Sequence, residues 1–133
     1  MAKSWEKYGI HALETVYPIV GPGFESIQNI GDKNRNIVHL HHSRGIDINI
    51  ANISDMLGGF GLISLMGTKG GIQIKSTDTY YAFKKQLQSY VNYLFTGNKP
   101  VSWNETYELM QLVSAGIESR EKGGIKITLN KDK

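Results

Sequence analysis

The feature that most constrains the fold is a change in hydrophobic period along the chain. From Gly9 to Val20, apolar residues recur every three to four positions, the spacing of one helical face. Between residues 46 and 51, isoleucines alternate with polar or small residues, and this period of two predicts a half-buried strand. Helical spacing returns near residue 78 and continues to about Lys122. The order is therefore a helix, several strands, two helices and a closing strand.

Glycine-rich turns divide the middle of the chain into short strands. We predict strands at Phe24–Ile30, Arg35–Ser43, Ile46–Ile53, Leu62–Met66, Gly71–Lys75 and Ile125–Leu129. The strand at 62–66 is apolar on both faces, which predicts a central position, and Ile72 and Ile74 are expected on the buried side of the next strand. Hairpin-length connections make the sheet mainly antiparallel. Helices packed on one face of this open sheet give a single α+β domain for the 133 residues.

The two later helices have clear end signals. Thr77, Asp78 or Thr79 is expected to cap the first, and the sequence Ser102–Glu105 is a capping box for the second. The predicted buried positions are Phe83, Leu87, Tyr90, Val91 and Leu94 in the first, and Tyr107, Met110, Val113 (or Leu112) and Ile117 in the second. The tyrosines and phenylalanines between residues 80 and 95 are accordingly interpreted as core residues. Residues 1–7 are polar, so we expect them to lie outside the fold.

Composition excludes several classes of function. The net charge of +3 comes without a lysine–arginine cluster interleaved with aromatics, so we expect no nucleic-acid partner. The longest mostly apolar run, 57–67, is far shorter than the ~20 residues of a membrane helix. The sequence contains no cysteine, and its N-terminus does not resemble a signal peptide. These observations predict a cytoplasmic protein without a membrane partner.

Two histidine patterns are candidates for chemistry. His11 and Glu14 lie three residues apart on the first helix, where a carboxylate can orient an imidazole for acid–base work, although an exposed helix surface has the same spacing. His39 and His41 point to one face of a strand and His42 to the other. An H-x-H pair can bind zinc, but no third ligand follows at an obvious spacing, so metal binding ranks last among the hypotheses.

Two glycine-rich segments need separate consideration because such loops can bind phosphate. Neither 58–61 nor 67–71 matches G-x-G-x-x-G or the P-loop pattern, and the second joins two strands instead of opening a helix. Both are therefore interpreted as turns.

Three segments together carry a family resemblance. Tyr8–Glu14, followed by Gly21-Pro22-Gly23, is the first; Met66–Gly71 is the second; Pro100–Thr106 with Ala115–Gly124 is the third. In this order they resemble the C-terminal domain of the Gfo/Idh/MocA oxidoreductases, the superfamily of glucose–fructose oxidoreductase and inositol dehydrogenase. The resemblance spans nearly the whole chain.

The resemblance implies an open, mostly antiparallel sheet that shapes a sugar or polyol pocket and often forms the oligomer. It also implies a catalytic histidine within an aspartate-x-glycine-x-histidine-x-x-aspartate motif. Gly9 and His11 match this motif, Glu14 replaces its second acid, and Lys7 stands where the first aspartate would be. His11 is thus the expected catalytic residue, while Tyr8 and Glu14 are expected substrate-binding residues.

Full-length members of the family bind NAD(P) in an N-terminal Rossmann domain, and this sequence contains neither its fingerprint nor the family's Glu-Lys-Pro run. We therefore expect a substrate-binding and oligomerisation half, inactive alone and without a cofactor of its own, in a truncated product or an expressed domain. Its expected partners are a second copy bound through the sheet, a Rossmann domain, and a sugar or polyol. The alternative is a free-standing structural or binding module that homo-oligomerises through the same sheet.

Overall fold

The computed structural model describes residues 4–55, 61–75 and 78–129. Its elements, in chain order, are α1 (Trp5–Val20), β1 (Phe24–Asn29), β2 (Arg35–His42), β3 (Ile46–Ile53), β4 (Leu62–Gly67), β5 (Gly70–Lys75), α2 (Thr79–Thr96), α3 (Trp103–Glu121) and β6 (Ile127–Thr128). The predicted α+β class is confirmed, and the strand and helix bounds lie close to those expected from the sequence.

A four-stranded antiparallel sheet forms the body of the molecule. Its strands lie in the order β3-β2-β1-β6, and β2 pairs with β3 along its full length, from Arg35 opposite Ile53 to His42 opposite Ile46. The pairing of β1 with β2 shifts register between Phe24 and Ser26. Helices α1 and α3 pack against each other and against this sheet, so that they cover one of its faces.

The hydrophobic core lies between these two helices and the sheet. Its largest fully buried apolar side chains are Trp5, Leu13, Phe24, Ile27, Val38, Leu40 and Leu112. The expectation that residues 1–7 lie outside the fold is wrong for Trp5, because α1 begins there and the indole is completely buried. The first three residues lie outside the described part of the chain.

The apolar face of α1 continues to its end in spite of a proline. A proline inside a helix normally shortens or kinks it, but α1 continues past Pro18 to Val20, and the Gly21 N–H then donates to the Tyr17 carbonyl. Gly21 and Gly23 both have positive φ angles of 74° and 120°, which favour glycine and allow the chain to turn directly into β1.

Buried polar side chains tie the helices to the sheet. The Asn29 side-chain amide donates to Asn36 Oδ1 at 2.9 Å, and the Asn29 backbone N–H donates to Ser119 Oγ at 2.9 Å. Arg120, whose side chain is 6% exposed, donates to Asn36 Oδ1 and to Glu6. Since buried polar groups are costly unless hydrogen-bonded, this network favours one arrangement of α1, α3 and β2.

The second sheet contradicts a prediction. Strands β4 and β5 form a separate two-stranded hairpin, so β4 is not a central strand of the main sheet. Ile72 and Ile74 are 57% and 42% exposed, although the alternation of β5 was interpreted as a buried face. Of the glycine-rich segments, 67–71 forms the hairpin turn as expected, whereas most of 58–61 lies outside the described residues.

Helix α2 has the predicted ends but not the predicted environment. Asp78 accepts a hydrogen bond from the Tyr81 N–H, and Gly97 ends the helix in the left-handed conformation. Nevertheless α2 has no buried residue. The side chains predicted to be buried are all exposed: Phe83, Leu87, Tyr90, Val91 and Leu94. The interpretation of the aromatic residues of α2 as core residues is therefore wrong within one chain. A helical period identifies an apolar face but does not identify what covers it.

Helix α3 is oriented partly as predicted. Ser102 caps it by accepting from the Glu105 N–H, as the capping box indicated, and Leu112 and Val113 are buried. Ile117 is partly buried against the core, but Tyr107 and Met110 are 58% and 51% exposed, contrary to prediction. In the described residues, no helix combines the length and the apolar composition needed to cross a bilayer.

Candidate functional site

The predicted site residues lie together on one side of α1. The His11 Nδ1 atom is 3.0 Å from Glu14 Oε2, and the Tyr8 ring meets the His11 ring edge-on with centroids 5.5 Å apart. The side chains of His11 and Glu14 are 48% and 52% exposed. Spacings of three along a helix bring these side chains into contact, so the sequence pattern and the geometry agree.

This arrangement can orient an imidazole. An ionised Glu14 accepts a hydrogen bond from Nδ1–H of His11, which leaves Nε2 as the nitrogen able to take up a proton. The helix fixes the backbone beneath the pair, and Thr15 Oγ1 donates to the His11 carbonyl at 2.7 Å. A half-exposed imidazole with a fixed tautomer is suited to exchange a proton with a bound hydroxyl.

Gly9, the glycine of the same motif, has a packing role. A Cβ atom at this position would lie 2.7 Å from the Trp5 ring, and one at Gly116 would lie 2.7 Å from Trp5 Nε1. The indole therefore lies between α1 and α3 where both lack a side chain, and its Nε1 donates to the Val113 carbonyl at 3.0 Å. Gly9 therefore lets α1 approach α3 closely. His11 follows two residues later on the same helix, so this packing helps to set its position.

A carboxylate that the sequence analysis did not identify holds the turn after α1. Glu108 Oε1 accepts hydrogen bonds from the Gly23 and Phe24 N–H groups at 2.8 and 2.9 Å, while Oε2 accepts from the Tyr17 hydroxyl at 3.0 Å. Burial, and then the neighbouring Glu108, raises the pKa of Tyr17 above its ordinary value. Helical spacing could have identified Glu108 as inward-facing, since it falls on the same face of α3 as the buried Leu112 and Ala115.

The third histidine of the H-x-H-H run supports the same turn. His42 lies on the strand face opposite His39 and His41, as predicted; it is fully buried, and its Nε2 donates to the Pro22 carbonyl at 3.0 Å. Its Nδ1 accepts from the Arg44 N–H, and the Arg44 guanidinium donates to the Val20 carbonyl. Thus α3 and the end of β2 both anchor the Gly21–Gly23 turn that follows the candidate site.

His39 and His41 lie on the outer face of the sheet. His41 Nδ1 is 2.8 Å from Asp47 Oδ1, and His39 Nδ1 is 3.1 Å from Asn49 Oδ1 on the paired strand. The hydrogen bond from His41 lowers the pKa of Asp47. Within residues 4–55, 61–75 and 78–129, no three histidine or carboxylate side chains are arranged as a metal site.

The glycine-rich turns of the described residues differ in form from the usual dinucleotide-binding turn. The turn at 67–71 joins two antiparallel strands, and no glycine-rich turn in the described parts leads from a strand into a helix. A pyrophosphate is usually bound at such a helix start.

Known structures with a similar fold include two myo-inositol dehydrogenases. The myo-inositol dehydrogenase of Corynebacterium glutamicum superposes with a TM-score of 0.76 at 19% identity, over 98% of this chain and 54% of that one. The Lactobacillus casei myo-inositol dehydrogenase, solved with NAD(H) and myo-inositol, gives a TM-score of 0.75 at 14% identity, over 93% of this chain and 47% of that one.

The chain has the fold of an inositol dehydrogenase C-terminal domain. This confirms the resemblance at the level of the fold. The chain spans about half the length of each dehydrogenase that it matches. No family model matches the sequence, and neither does any curated protein.

Proposed function

We propose that this chain is the substrate-binding and oligomerisation half of an NAD(P)-dependent sugar or polyol oxidoreductase. The observation that carries the proposal is the conjunction of the dehydrogenase fold with an oriented imidazole on its first helix. The match covers nearly all of this chain and about half of the dehydrogenases, which supports a second half that binds the cofactor. The L. casei enzyme was solved with myo-inositol, which makes polyols the first substrates to test.

In this proposal His11 is the catalytic residue and acts on a proton. A substrate hydroxyl lies against Nε2 and transfers its proton there as its carbon is oxidised. Glu14 holds the other nitrogen and stabilises the imidazolium that results. Tyr8, in edge contact with the imidazole, bounds the pocket on one side. The hydride acceptor has to come from outside this chain, so the isolated chain is expected to be inactive.

The outer face of the main sheet supports the oligomerisation role. Helices cover only the opposite face, and Ile37 is 41% exposed, paired with Ala51 on β3 and flanked by Arg35 and His39 on its own strand. A sheet face of this kind is suited to meet the same face of a second copy. The second candidate, a free-standing module that assembles through this face, depends on the same observation and differs only in needing no cofactor-binding half.

The test joins the chain to the remaining half of the L. casei myo-inositol dehydrogenase, which was solved with NAD(H), and follows nicotinamide reduction with myo-inositol and related polyols. His11→Gln is expected to lower kcat about 10²–10⁴-fold, the usual effect of removing a general base. Ser114→Ala, on an exposed position of α3, is the control and should leave the rate unchanged.

Three results contradict the proposal in different ways. Full activity of the His11→Gln protein removes the catalytic role of His11. Oxidation of a polyol by the isolated chain with NAD(P) contradicts the claim that a separate half is needed to bind the cofactor. A homo-oligomer that gains no activity with any cofactor-binding domain supports the free-standing module instead.

A further inference from the structure

The surface of α2 carries a continuous apolar seam. Tyr80, Phe83, Leu87, Tyr90 and Leu94 follow one another at alternating steps of three and four residues, which is the a and d spacing of a heptad repeat. Their exposed fractions range from 47% at Leu87 to 76% at Tyr80. Among the described elements, α2 packs extensively against none. A seam of this kind is normally buried against another helix or a sheet.

The hairpin presents a second apolar surface. Ile63 lies opposite Ile74, and Leu65 lies opposite Ile72, so these four side chains project from one face of β4 and β5. Within the described residues the two strands pack extensively only with each other. An isolated two-stranded hairpin is marginally stable in water, so its apolar face requires a cover.

The total surface is larger than that of a typical monomer of this mass. A monomer of 14.9 kDa is expected to expose about 7,000 Å², whereas this chain exposes 9306 Å². The excess, about 2,300 Å² per chain, falls at the upper end of what each subunit of an obligate homodimer buries. A contact between two domains of one chain typically buries about 600–1,500 Å² in total and is more polar.

We infer that α2 and the β4–β5 hairpin form a homodimer interface, covered by the same surface of a second copy. The seam and the hairpin face are both apolar, and a two-fold axis brings a patch against itself without needing a different complementary surface. The carboxylate-free sequence of α2 favours apolar self-contact over ion pairing across the interface. This interface is distinct from the outer face of the main sheet, and it does not depend on the proposed function.

The experiment measures the mass of the full chain by sedimentation over a wide concentration range. Leu87→Glu places a charge at the centre of the seam and is expected to weaken this association about 30-fold or more. Ser89→Glu, at an exposed position of α2 outside the a and d positions, is the matched control and should leave this association intact. Both positions are partly exposed in one chain, so neither change should unfold it.

A second measurement on the unchanged protein covers the case in which a variant fails to fold. Amide hydrogen exchange in α2 and the hairpin should accelerate on dilution, while exchange in β1 and β2 stays constant. A monomer at every concentration overturns the inference and assigns this surface to a different domain. Association of Leu87→Glu that is as strong as that of the unchanged chain also overturns it.

Discussion

At the residue scale, the position of the candidate site depends on side chains that do no chemistry. Trp5 fills the space left by two glycines on facing helices, and Glu108 satisfies two backbone N–H groups at the turn that ends α1. Both lie outside the motif that drew attention to His11. Sequence reasoning identified the imidazole and its carboxylate because helical spacing alone brings them together. It missed Trp5 and Glu108 because their partners are roughly 100 residues away.

Gly9→Ala should destabilise the protein by about 1–2 kcal/mol. Alanine normally stabilises a helix relative to glycine by roughly 0.5–1 kcal/mol, but here the added Cβ would overlap a buried ring, and overpacking costs about 1–3 kcal/mol. Gly116→Ala should behave alike because it meets the same indole. Denaturant unfolding measures both changes, with the exposed Ser114→Ala as control. Stabilisation by either alanine would show that the Trp5 indole can be accommodated beside a Cβ atom at that position.

Tyr17 should make the fold sensitive to alkali. Its folded pKa lies above the unfolded value of about 10, since it is buried and donates to Glu108. Its contribution to stability is therefore complete below about pH 10 and is lost as the pH rises toward the folded pKa. Tyr17→Phe should remove this loss, whereas Tyr80→Phe, at an exposed position, should retain it. Unfolding free energies measured from pH 8 to 11 provide the test, and equal pH profiles for the two variants would contradict it.

At the element scale, the secondary structure followed from the sequence more completely than its packing. The periods and end signals predicted every described helix and strand, because these depend on neighbours within a few residues. The environments of β4, β5 and α2 were predicted wrongly, because an apolar face looks the same whether its own chain or another covers it. Helix α3 illustrates both cases, with Leu112 buried and Tyr107 exposed on successive turns.

Arg120 links three elements and should be needed for their arrangement. Its guanidinium on α3 bonds to Glu6 on α1 and Asn36 on β2 while almost completely buried. Arg120→Ala should cost about 3 kcal/mol, because it leaves a buried acceptor and a carboxylate without their donor. Lys122→Ala removes an exposed i,i+4 pair with Glu118 and should cost less than about 0.5 kcal/mol. Similar losses of unfolding free energy for both variants would contradict the linking role.

Glu6 adds a pH signature to the same contact. Burial alone would raise its pKa, but the hydrogen bond and charge of Arg120 outweigh this and lower it. A lowered folded pKa means that the contribution is present above the unfolded value of about 4.5 and is lost as pH falls below it. Acid unfolding of Glu6→Gln should therefore show a shallower decline than the unchanged protein between pH 5 and 3. An unchanged slope would indicate that solvent screens the pair.

At the scale of the whole molecule, the chain is a compact body with an apolar extension. The body comprises α1, α3 and the four-stranded sheet, and the extension comprises α2 and the β4–β5 hairpin. The fold of both together matches about half of an inositol dehydrogenase. In the dimer inferred above, the stability of the extension depends on association.

Thermal stability should accordingly depend on protein concentration. Association that involves only the folded state raises Tm as concentration increases, by mass action. The unchanged chain and Ser89→Glu should both show this dependence through the α2 and hairpin surface, while Leu87→Glu should lose most of it. Calorimetry across a hundredfold concentration range measures the effect. A Tm that is independent of concentration in the unchanged chain would contradict the expectation.

The two tryptophans of the body differ in exposure and provide two optical reporters. Trp5 is completely buried in the body, whereas Trp103, at the start of α3, is 72% exposed beside Lys99. Emission from Trp5 should stay blue-shifted until the body unfolds, and emission from Trp103 should report its contact with solvent. A Trp103→Phe protein would leave the buried indole as the single tryptophan fluorophore, so that loss of the body's structure could be followed without a label.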